Sequence, residues 1–369
     1  MFNLDIKART LLGPGPSNVH PRVLRAMSFP LVGHMDPQFL TMMNEIQDLL
    51  RYVFKTKNEF TIPVSGTGSA AMEASMANFI EPGDEVLICV NGYFGLRLMD
   101  MASRYGAKVR SINKPWGEVF SLDEIEKELK TQPAKIVGIV HAETSTGARQ
   151  PMEGLGELVH EYGGILVIDC VTSLGGLPVK VDDWGVDVAY SGTQKCLSIP
   201  PGLGPLTISP RALDVMNNRK APVSNWYLDM SMLSKYWGKT RTYHHTAPIN
   251  MNYALYEGLT LIKEEGLEAR WDRHQQNADL LWKGLENMGL ALVVPEVYRL
   301  PSLTTVKIPE GVNDSDVRSK LLQDYNIEIA GGLGDFAGKV WRIGCMGYSS
   351  RRENVTLVLG ALKEILAGY

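Results

Sequence analysis

Short apolar runs alternate with longer amphipathic stretches between about residues 60 and 210. This order is typical of strands joined by crossover helices in a sheet whose strands run mostly parallel. Several runs are apolar almost throughout, which indicates that both faces of the sheet are covered. We therefore predict an α/β protein with a large, mostly parallel seven-stranded sheet. The predicted strands are Phe60–Val64, Val86–Val90, Lys108–Ile112, Ile136–Val140, Ile165–Ile168, Val186–Ala189 and Leu206–Ser209.

Helix signals occupy the stretches between these strands. Ser121 is followed by Glu124, and this spacing matches a capping box, in which the two side chains bond each other's backbone N–H groups. The predicted helices are Gly68–Ile80, Phe94–Tyr105, Ser121–Lys130 and Met152–Tyr162. Each of them can connect two parallel strands.

The pattern changes after Pro210. Aromatic residues become concentrated, and we interpret them as core or dimer-interface residues. Helical patterns and short strands then follow, which predicts a smaller α+β part. The predicted domains are an N-terminal segment over residues 1–20, a large domain over 21–250 and a small domain over 251–369. The further predicted strands and helices are Ala291–Val294, Ser302–Lys307, Ile327–Ala330 and Val340–Ile343, with two long helices over 252–289 and shorter ones at Asp314–Leu322 and Arg352–Leu366.

Charge and cysteine content narrow the class of protein. The 37 basic and 41 acidic residues give a net charge of −4, so no strongly basic surface for nucleic acid or an anionic membrane is expected. The 4 cysteines are scattered, without a CxxC pair, and no histidine cluster has the spacing of metal ligands. No signal peptide or membrane-spanning segment is recognised. We expect a cytoplasmic protein with reduced thiols, no metal, and small-molecule partners.

An acid and a lysine end two successive predicted strands. Asp169 follows the apolar run Ile165–Ile168, and Lys195 follows Val186–Ala189 through the polar segment that begins at Ser191. Ligands of open α/β sheets bind beyond the carboxyl ends of the strands. Taken singly, Asp169 could be a helix cap or part of an ion pair, and Lys195 could be a solvated surface residue. Together they suit pyridoxal phosphate, whose aldehyde needs an amine and whose pyridine nitrogen needs a carboxylate.

A glycine-rich turn supplies a third part of this pattern. Gly66, Thr67, Gly68 and Ser69 lie between a predicted strand and a predicted helix. Such a turn presents free backbone N–H groups and the positive end of the helix dipole to an anion. By itself the turn could simply join the two elements, and it is not the full dinucleotide-binding pattern. The turn precedes Asp169 and Lys195 in the chain, and this order of the three features favours a phosphate site.

Motifs along almost the whole chain resemble those of class V aminotransferases, in the fold-type I pyridoxal-phosphate superfamily. The resemblance is greatest to the group of alanine:glyoxylate and serine:pyruvate aminotransferases. It implies a PLP-dependent homodimer with shared active sites. The segments that carry it begin at Leu12 (LGPGPS), Ser65 (SGTG), Glu81 (EPGD), Asn91 (NGYFG), His141 (HAETSTG), Ser191 (SGTQK), Tyr243 (YHHT), Gly331 (GGLG) and Arg342 (RIG).

The resemblance also implies residue roles at the reacting end of the cofactor. Lys195 would bind the cofactor covalently and move the substrate proton, and Asp169 would pair with the pyridine nitrogen. Phe94, where the family often has tryptophan, would stack on the ring, with Val171 on the other side. Thr144 would bind the phenolic oxygen.

At the other end of the cofactor, the resemblance implies phosphate ligands. Gly68, Ser69 and Gln194 would bind the phosphate from the same chain, whereas Tyr243 and Thr246 would reach in from the other subunit. For the substrate, it implies that Arg342 binds the carboxylate, for which a guanidinium fork is well suited.

The predicted activity is a ping-pong transfer of an amino group from a small amino acid, alanine or serine, to glyoxylate or pyruvate. The motifs contain one arginine for a substrate carboxylate and no second basic residue in an obvious acceptor motif. This favours substrates with small uncharged side chains. Transaminases of ureidoglycine, aminoethylphosphonate or hydroxykynurenine remain alternatives, as does a lyase resembling cysteine desulfurases. The lyase is disfavoured because Phe94 replaces the stacking histidine and because Cys345 lies on no Gly/Ser-rich loop. A PLP-binding protein without turnover and an NAD-binding domain are disfavoured by the pair of Asp169 and Lys195.

Overall fold

A seven-stranded sheet forms the centre of the protein, in a computed structural model that describes residues 6–369. Its strand order is β2-β10-β9-β8-β5-β3-β4, and only β10 runs antiparallel to its neighbours. The predicted large and mostly parallel sheet is therefore confirmed. The strands of this sheet are β2 Phe60–Ser65, β3 Glu85–Val90, β4 Lys108–Asn113, β5 Ile136–Val140, β8 Ile165–Asp169, β9 Val188–Tyr190 and β10 Leu203–Ile208.

Smaller sheets surround the central one. A three-stranded antiparallel sheet, in the order β11-β14-β13, forms the smaller α+β part that was predicted. The remaining short strands form two-stranded pairs, β1 with β12 and β6 with β7. Their bounds are β1 Thr10–Leu11, β6 Ala142–Glu143, β7 Ala148–Arg149, β11 Leu303–Lys307, β12 Ile327–Glu328, β13 Ala330–Gly331 and β14 Val340–Gly344.

Four strand predictions need correction. The strand predicted at Val186–Ala189 is β9 Val188–Tyr190, and that predicted at Ile327–Ala330 is two strands, β12 and β13, in different sheets. The strand predicted at Leu206–Ser209 begins earlier, because β10 pairs with β2 from the Leu203 position onward. The strand predicted at Ala291–Val294 is wrong: Leu292 makes only an isolated bridge. Pro295, just beyond it, has no N–H with which to extend the pairing. The bounds of all four strands depend on pairing partners outside the local sequence.

Helices cover both faces of the large sheet and one side of the small one. The capping box at Ser121 and Glu124 is present. The prediction omitted α1, α2, α7 and α8, although Asp36 before Pro37 is an ordinary start signal and caps α2. The helices are α1 Pro21–Ala26, α2 Pro37–Phe54, α3 Gly68–Ala77, α4 Tyr93–Arg104, α5 Leu122–Thr131, α6 Leu155–Glu161, α7 Pro210–Asn217, α8 Met230–Trp237, α9 Ile249–Glu265, α10 Leu267–Asn287, α11 Asp314–Asp324 and α12 Arg352–Leu366.

Two large hydrophobic cores and one small cluster contain the buried apolar side chains. The larger contains the central sheet and the inner faces of α2 to α9, and it extends to Leu267. The smaller contains α10 to α12 and the small sheet, and it includes Leu12 from the N-terminal segment. The domain bounds stay a prediction, and residues 1–5 of the predicted N-terminal segment lie outside the described residues. Within residues 6–369, no helix combines the length and apolar character needed to cross a membrane.

Candidate active site

The carboxyl ends of β8 and β9 bring an acid and a lysine to one edge of the sheet. Asp169 is the last residue of β8, and Tyr190, the last residue of β9, lies opposite it in the ladder. Lys195 follows β9 on the loop that begins at Ser191. The positive charge of Lys195 lowers the pKa of Asp169, so the two groups interact. The juxtaposition expected from the two strands is present.

The carboxyl group of Asp169 is held by two donors. Its Oδ1 accepts from the Val171 N–H at 2.9 Å, and its Oδ2 accepts from the Tyr190 hydroxyl at 3.0 Å. Burial raises the pKa of Asp169 to about 6, against the effect of these hydrogen bonds. A cation bound next to this carboxyl would stabilise its ionised form. The sequence prediction missed Tyr190, whose only signal was its position at the end of a strand.

The N-terminal segment encloses the lysine. Burial, with the nearby charge of Arg342, lowers the pKa of Lys195 to about 8. The Lys195 ammonium donates to the Pro14 carbonyl. A Cβ on Gly15 would lie 2.5 Å from Lys195 Nζ, so only glycine fits beside the amine. These contacts explain the Leu12 to Ser17 motif, to which the sequence prediction gave no role. The low pKa means that an appreciable fraction of the amine is neutral near physiological pH.

The glycine-rich turn leads into the start of α3. This helix begins at Gly68, and the side chain of the preceding Thr67 makes no capping hydrogen bond. The N–H groups of a first helical turn have no partner within the helix, and anions commonly bind them. Gly66 has a φ of +148°, a conformation that favours glycine. Ser69, the second residue of α3, lies in this turn.

Gln194 lies beside the start of α3 with part of its side chain unsatisfied. Its Oε1 atom is buried and has no hydrogen-bond partner within residues 6–369. A Cβ on Gly192 would lie 2.9 Å from this oxygen and 3.4 Å from Gly68 Cα, so the amide adjoins the helix start. The free Oε1 atom accepts hydrogen bonds and cannot donate to an anion. The donors that fit the phosphate of PLP are the backbone N–H groups at the start of α3, and the Gln194 amide could add only its NH₂ group.

Two apolar side chains border the space between these groups. Phe94 lies in the first turn of α4, half-buried. Val171 follows Asp169 and approaches the start of α3, since a Cβ on Gly68 would lie 3.5 Å from Val171 Cγ2. An aromatic and a branched apolar side chain can border a flat heteroaromatic ring.

A buried glutamate holds the start of α4, and the sequence prediction missed it. Glu143 Oε2 accepts from the backbone N–H groups of Phe94 and Gly95 at 3.1 and 3.3 Å, and Oε1 accepts from the Ser145 hydroxyl at 2.6 Å. Burial raises the pKa of Glu143 to about 7, against the effect of these donors. The charge of Glu143 also raises the pKa of Arg342, against the effect of burial. Glu143 thus fixes the helix that carries the Phe94 ring.

Arg342 lies on β14 and joins the two parts of the protein. Its Nε donates to the Gly331 carbonyl at 2.9 Å, and its Nη1 donates to the Thr144 carbonyl at 3.3 Å. Its Nη2 donates to no group among residues 6–369. The Thr144 hydroxyl bonds that of Thr172. The guanidinium is thus held at one edge and open at the other, which suits a carboxylate ligand.

Two of the predicted phosphate ligands are not brought to this site by their own chain. Tyr243 and Thr246 are exposed, and the Tyr243 ring lies against His34, with ring centroids 5.2 Å apart. Their neighbour His245 does approach the glycine-rich turn, because its Nε2 bonds the Ser65 hydroxyl at 2.7 Å. The roles predicted for Tyr243 and Thr246 therefore require a second copy of the chain.

Cys345, the residue that a desulfurase-like lyase would need as a nucleophile, is poorly suited to that role. It is 1% exposed, and burial raises the pKa of its thiol to about 12. The thiolate, which is the reactive form of a cysteine, is therefore scarce.

Comparisons with known proteins extend over nearly the whole chain. A family model described as aminotransferase class-V matches residues 11–345. The alanine–glyoxylate aminotransferase of Rattus norvegicus is 44% identical over 368 residues, which cover 98% of this chain and 89% of that protein. The (S)-ureidoglycine–glyoxylate transaminase of Bacillus subtilis (strain 168) is 44% identical over 376 residues, covering 97% of this chain and 90% of that protein.

A solved structure agrees with this likeness. The crystal structure of an alanine–glyoxylate aminotransferase from Nostoc sp. matches with a TM-score of 0.98 at 58% sequence identity. The match covers 99% of this chain and 97% of the other. The described segments around Asp169, Lys195 and Arg342 thus lie within the matched region.

Proposed function

The chain belongs to the class V aminotransferases, and from this membership we propose that it is a PLP-dependent transaminase acting on glyoxylate or pyruvate. The amino donor is a small amino acid, alanine or serine. The resemblance inferred from the motifs is confirmed at the level of the family. The roles of individual site residues, the cofactor and the substrates are part of the proposal.

One observation carries the proposal most directly. Asp169 and Lys195 lie at one edge of the sheet, Asp169 buried and Lys195 half-buried, and both have perturbed pKa values. Two such groups at the carboxyl edge of an α/β sheet are typical of a catalytic site. The start of α3, which has no side-chain cap, adds free backbone N–H groups for a phosphate.

Bound at this site, PLP would supply a reactive aldehyde and an electron-withdrawing pyridinium ring. Lys195, with its lowered pKa, would provide the amine that holds the cofactor and then the base that takes the α-proton of the substrate. Asp169 would keep the ring nitrogen protonated, with Tyr190 and the Val171 N–H fixing its orientation. Phe94, Val171 and Thr144 would hold the ring, and Gly66, Thr67, Gly68, Ser69 and Gln194 the phosphate.

The site favours a small, uncharged amino donor. Arg342 would bind the α-carboxylate through its free edge and so orient the bond to be broken. One guanidinium provides for one carboxylate, so the proposal favours donors such as alanine and serine over dicarboxylic acids.

A homodimer would complete the site. Tyr243 and Thr246 are exposed on their own chain and are proposed to bind the phosphate in a second copy. Exposed apolar residues, including Phe29 and Leu31, give such a dimer a surface to bury. The four cysteines are free and buried, which supports a reducing compartment such as the cytoplasm.

The experiment that tests the function is a visible absorbance titration of the purified protein loaded with PLP. Alanine, serine, glycine and aspartate are added one at a time, and each sample is then treated with glyoxylate or pyruvate. We expect alanine or serine to bleach the yellow band of the lysine-bound cofactor and the oxo acid to restore it. Aspartate should have little effect.

Two other outcomes would change the proposal. A stable band that bleaches only with (S)-ureidoglycine would assign the donor to the second class of relative, with glyoxylate still the acceptor. The absence of any band after incubation with PLP would contradict the roles of Lys195 and Asp169 together.

Arg342→Lys should raise the KM for both the amino acid and the oxo acid about 10- to 100-fold, because lysine keeps the charge but loses the two-pronged contact with a carboxylate. The absorbance band of the cofactor should remain, since Arg342 does not hold PLP in this proposal. Steady-state kinetics with alanine and glyoxylate would measure the change. An unaltered KM would show that another group binds the carboxylate.

A further inference from the structure

Arg97 lies on α4, one helical turn after Phe94, and its guanidinium faces the candidate active site. The Arg97 Cζ atom lies 4.9 Å from the centroid of the Phe94 ring, and Nη1 is 3.3 Å from the Ser69 hydroxyl, to which it donates. The charge of Arg97 lowers the pKa of both Asp169 and Lys195, so it acts across the pocket. None of the sequence motifs assigned Arg97 a role.

The guanidinium is short of partners for a half-buried group. Among residues 6–369, its one hydrogen bond is to Ser69, and no carboxylate lies at ion-pair distance from it. By contrast, Arg104 lies about two turns further along the same helix and pairs with Asp100 at 2.9 Å. Arginine withdrawn from solvent is normally paired with an anion. The free donors of Arg97 therefore indicate an anionic ligand.

The position of Ser69 identifies where this ligand would lie. Ser69 belongs to the first turn of α3, which has no side-chain cap, and the Gln194 side chain lies beside this turn. The phosphate of PLP carries nearly two negative charges at neutral pH, and these neutral donors supply no full positive charge. Lys195 and Arg342 are committed elsewhere in the proposed mechanism. Arg97 is then the cation placed to balance the phosphate.

We propose that Arg97 binds the phosphate of PLP as its counter-cation, a role that rests on the proposed function. Its guanidinium would contact the phosphate together with Ser69, while its face stays over the Phe94 ring. The Ser69 hydroxyl then links the start of α3 to the Arg97 guanidinium through its hydrogen bond. With Arg97 engaged in this way, Arg342 is the cation left for the substrate, which agrees with a donor that has one carboxylate.

The test compares two ligands that differ only in the phosphate. The apoprotein is titrated with PLP and with pyridoxal, with tryptophan fluorescence and visible absorbance as readouts, for the wild type, Arg97→Gln and Arg97→Lys. We expect Arg97→Gln to weaken PLP binding about 10- to 100-fold and to leave pyridoxal binding within about 2-fold. Arg97→Lys should lie between, because it keeps the charge and loses the fork. Arg104→Gln, on the same helix, should match the wild type.

A second readout uses inorganic phosphate alone. We expect phosphate to raise the thermal unfolding temperature of the wild-type apoprotein and of Arg104→Gln, and to have a smaller effect on Arg97→Gln. If Arg97→Gln does not fold, the stabilisation by phosphate is compared between Arg97→Lys and the wild type instead.

The other possible outcomes distinguish a failure of the Arg97 role from a failure of the proposed function. Equal loss of PLP and pyridoxal binding in Arg97→Gln would overturn the inference, because Arg97 would then act through the Phe94 ring. Unchanged PLP binding would overturn it too, while the transaminase proposal would stand. Failure of the wild type to bind PLP at all would refute the proposed function, and the inference with it.

Discussion

Lys195→Ala should lower the rate of transamination at least about 10⁴-fold, because it removes both the amine that holds the cofactor and the base that moves the substrate proton. PLP should still bind without a covalent link through the phosphate site, Asp169 and Phe94. The measurement is the rate of pyruvate formation from alanine and glyoxylate, with absorbance to follow the cofactor. Near-wild-type turnover would contradict the assignment of Lys195.

Two controls make the loss specific. Lys127→Ala, at an exposed position on α5, should retain full activity. Lys195→Arg keeps a positive charge in the pocket but cannot become neutral, so it should be as inactive as the alanine variant. A small added amine, such as methylamine, should restore part of the proton transfer to Lys195→Ala and none to Lys195→Arg, where the cavity is filled. Rescue of both variants, or of neither, would argue against a role for Lys195 as the base.

Asp169→Asn should lower turnover on the order of 10²- to 10³-fold and weaken PLP binding, because a buried cationic ring would lose its paired charge. The carboxamide is nearly isosteric with the carboxyl group and still accepts from the Val171 N–H. The variant therefore separates the charge of Asp169 from its shape. Unchanged kinetics would show that another acid serves the ring nitrogen.

The same substitution should stabilise the protein when no cofactor is bound. Burial raises the pKa of Asp169 from 3.8 to about 6. Because this folded-state pKa exceeds the unfolded value, the stability associated with the protonated form is complete below pH 3.8 and is lost as the pH rises through about 6. Above that pH, the ionised carboxyl costs up to about 3 kcal/mol of unfolding free energy, which asparagine does not incur.

Asp187→Asn is the matched control for the stability measurement. Asp187 is as buried as Asp169, but its carboxylate already bonds the His160 ring at 2.8 Å and the Ser209 hydroxyl at 2.8 Å. Removing this charge should lower the unfolding temperature of the apoprotein at pH 7, whereas Asp169→Asn should raise it. A decrease in both variants would show that Asp169 is structural in the absence of cofactor.

The pattern of acid and lysine was visible in the sequence because Asp169 ends one apolar strand and Lys195 lies on the polar loop that follows the next. Parallel neighbouring strands end at one edge of a sheet, so the local pattern already determines that Asp169 and Lys195 meet. The turn from Gly66 to Ser69 was visible for a similar reason, since a strand, glycines and a helix are consecutive in the chain. Family resemblance then extended the prediction to Phe94, Thr144 and Arg342.

Contacts between distant segments were not predictable in this way. Pro14 reaches Lys195, Glu143 holds the helix that carries Phe94, and Tyr190 orients Asp169. None of these residues has a local pattern that distinguishes it from an ordinary turn, strand or core residue. The pairing of β10 with β2 and the failure of the strand at Ala291–Val294 have the same origin, because each depends on a partner far along the chain.

By itself, the sequence determined the strands of the mostly parallel sheet, the helices between them, and the acid and lysine at its edge. These features depend on hydrophobic periodicity and on short turns, which act over a few residues. Only the tertiary structure decided how burial shifts the pKa of Asp169, Lys195 and Glu143, and that Arg97 faces Ser69 without an anionic partner. The physical reason is that desolvation and charge pairing depend on which distant segments surround a group, and these come together only when the chain has folded.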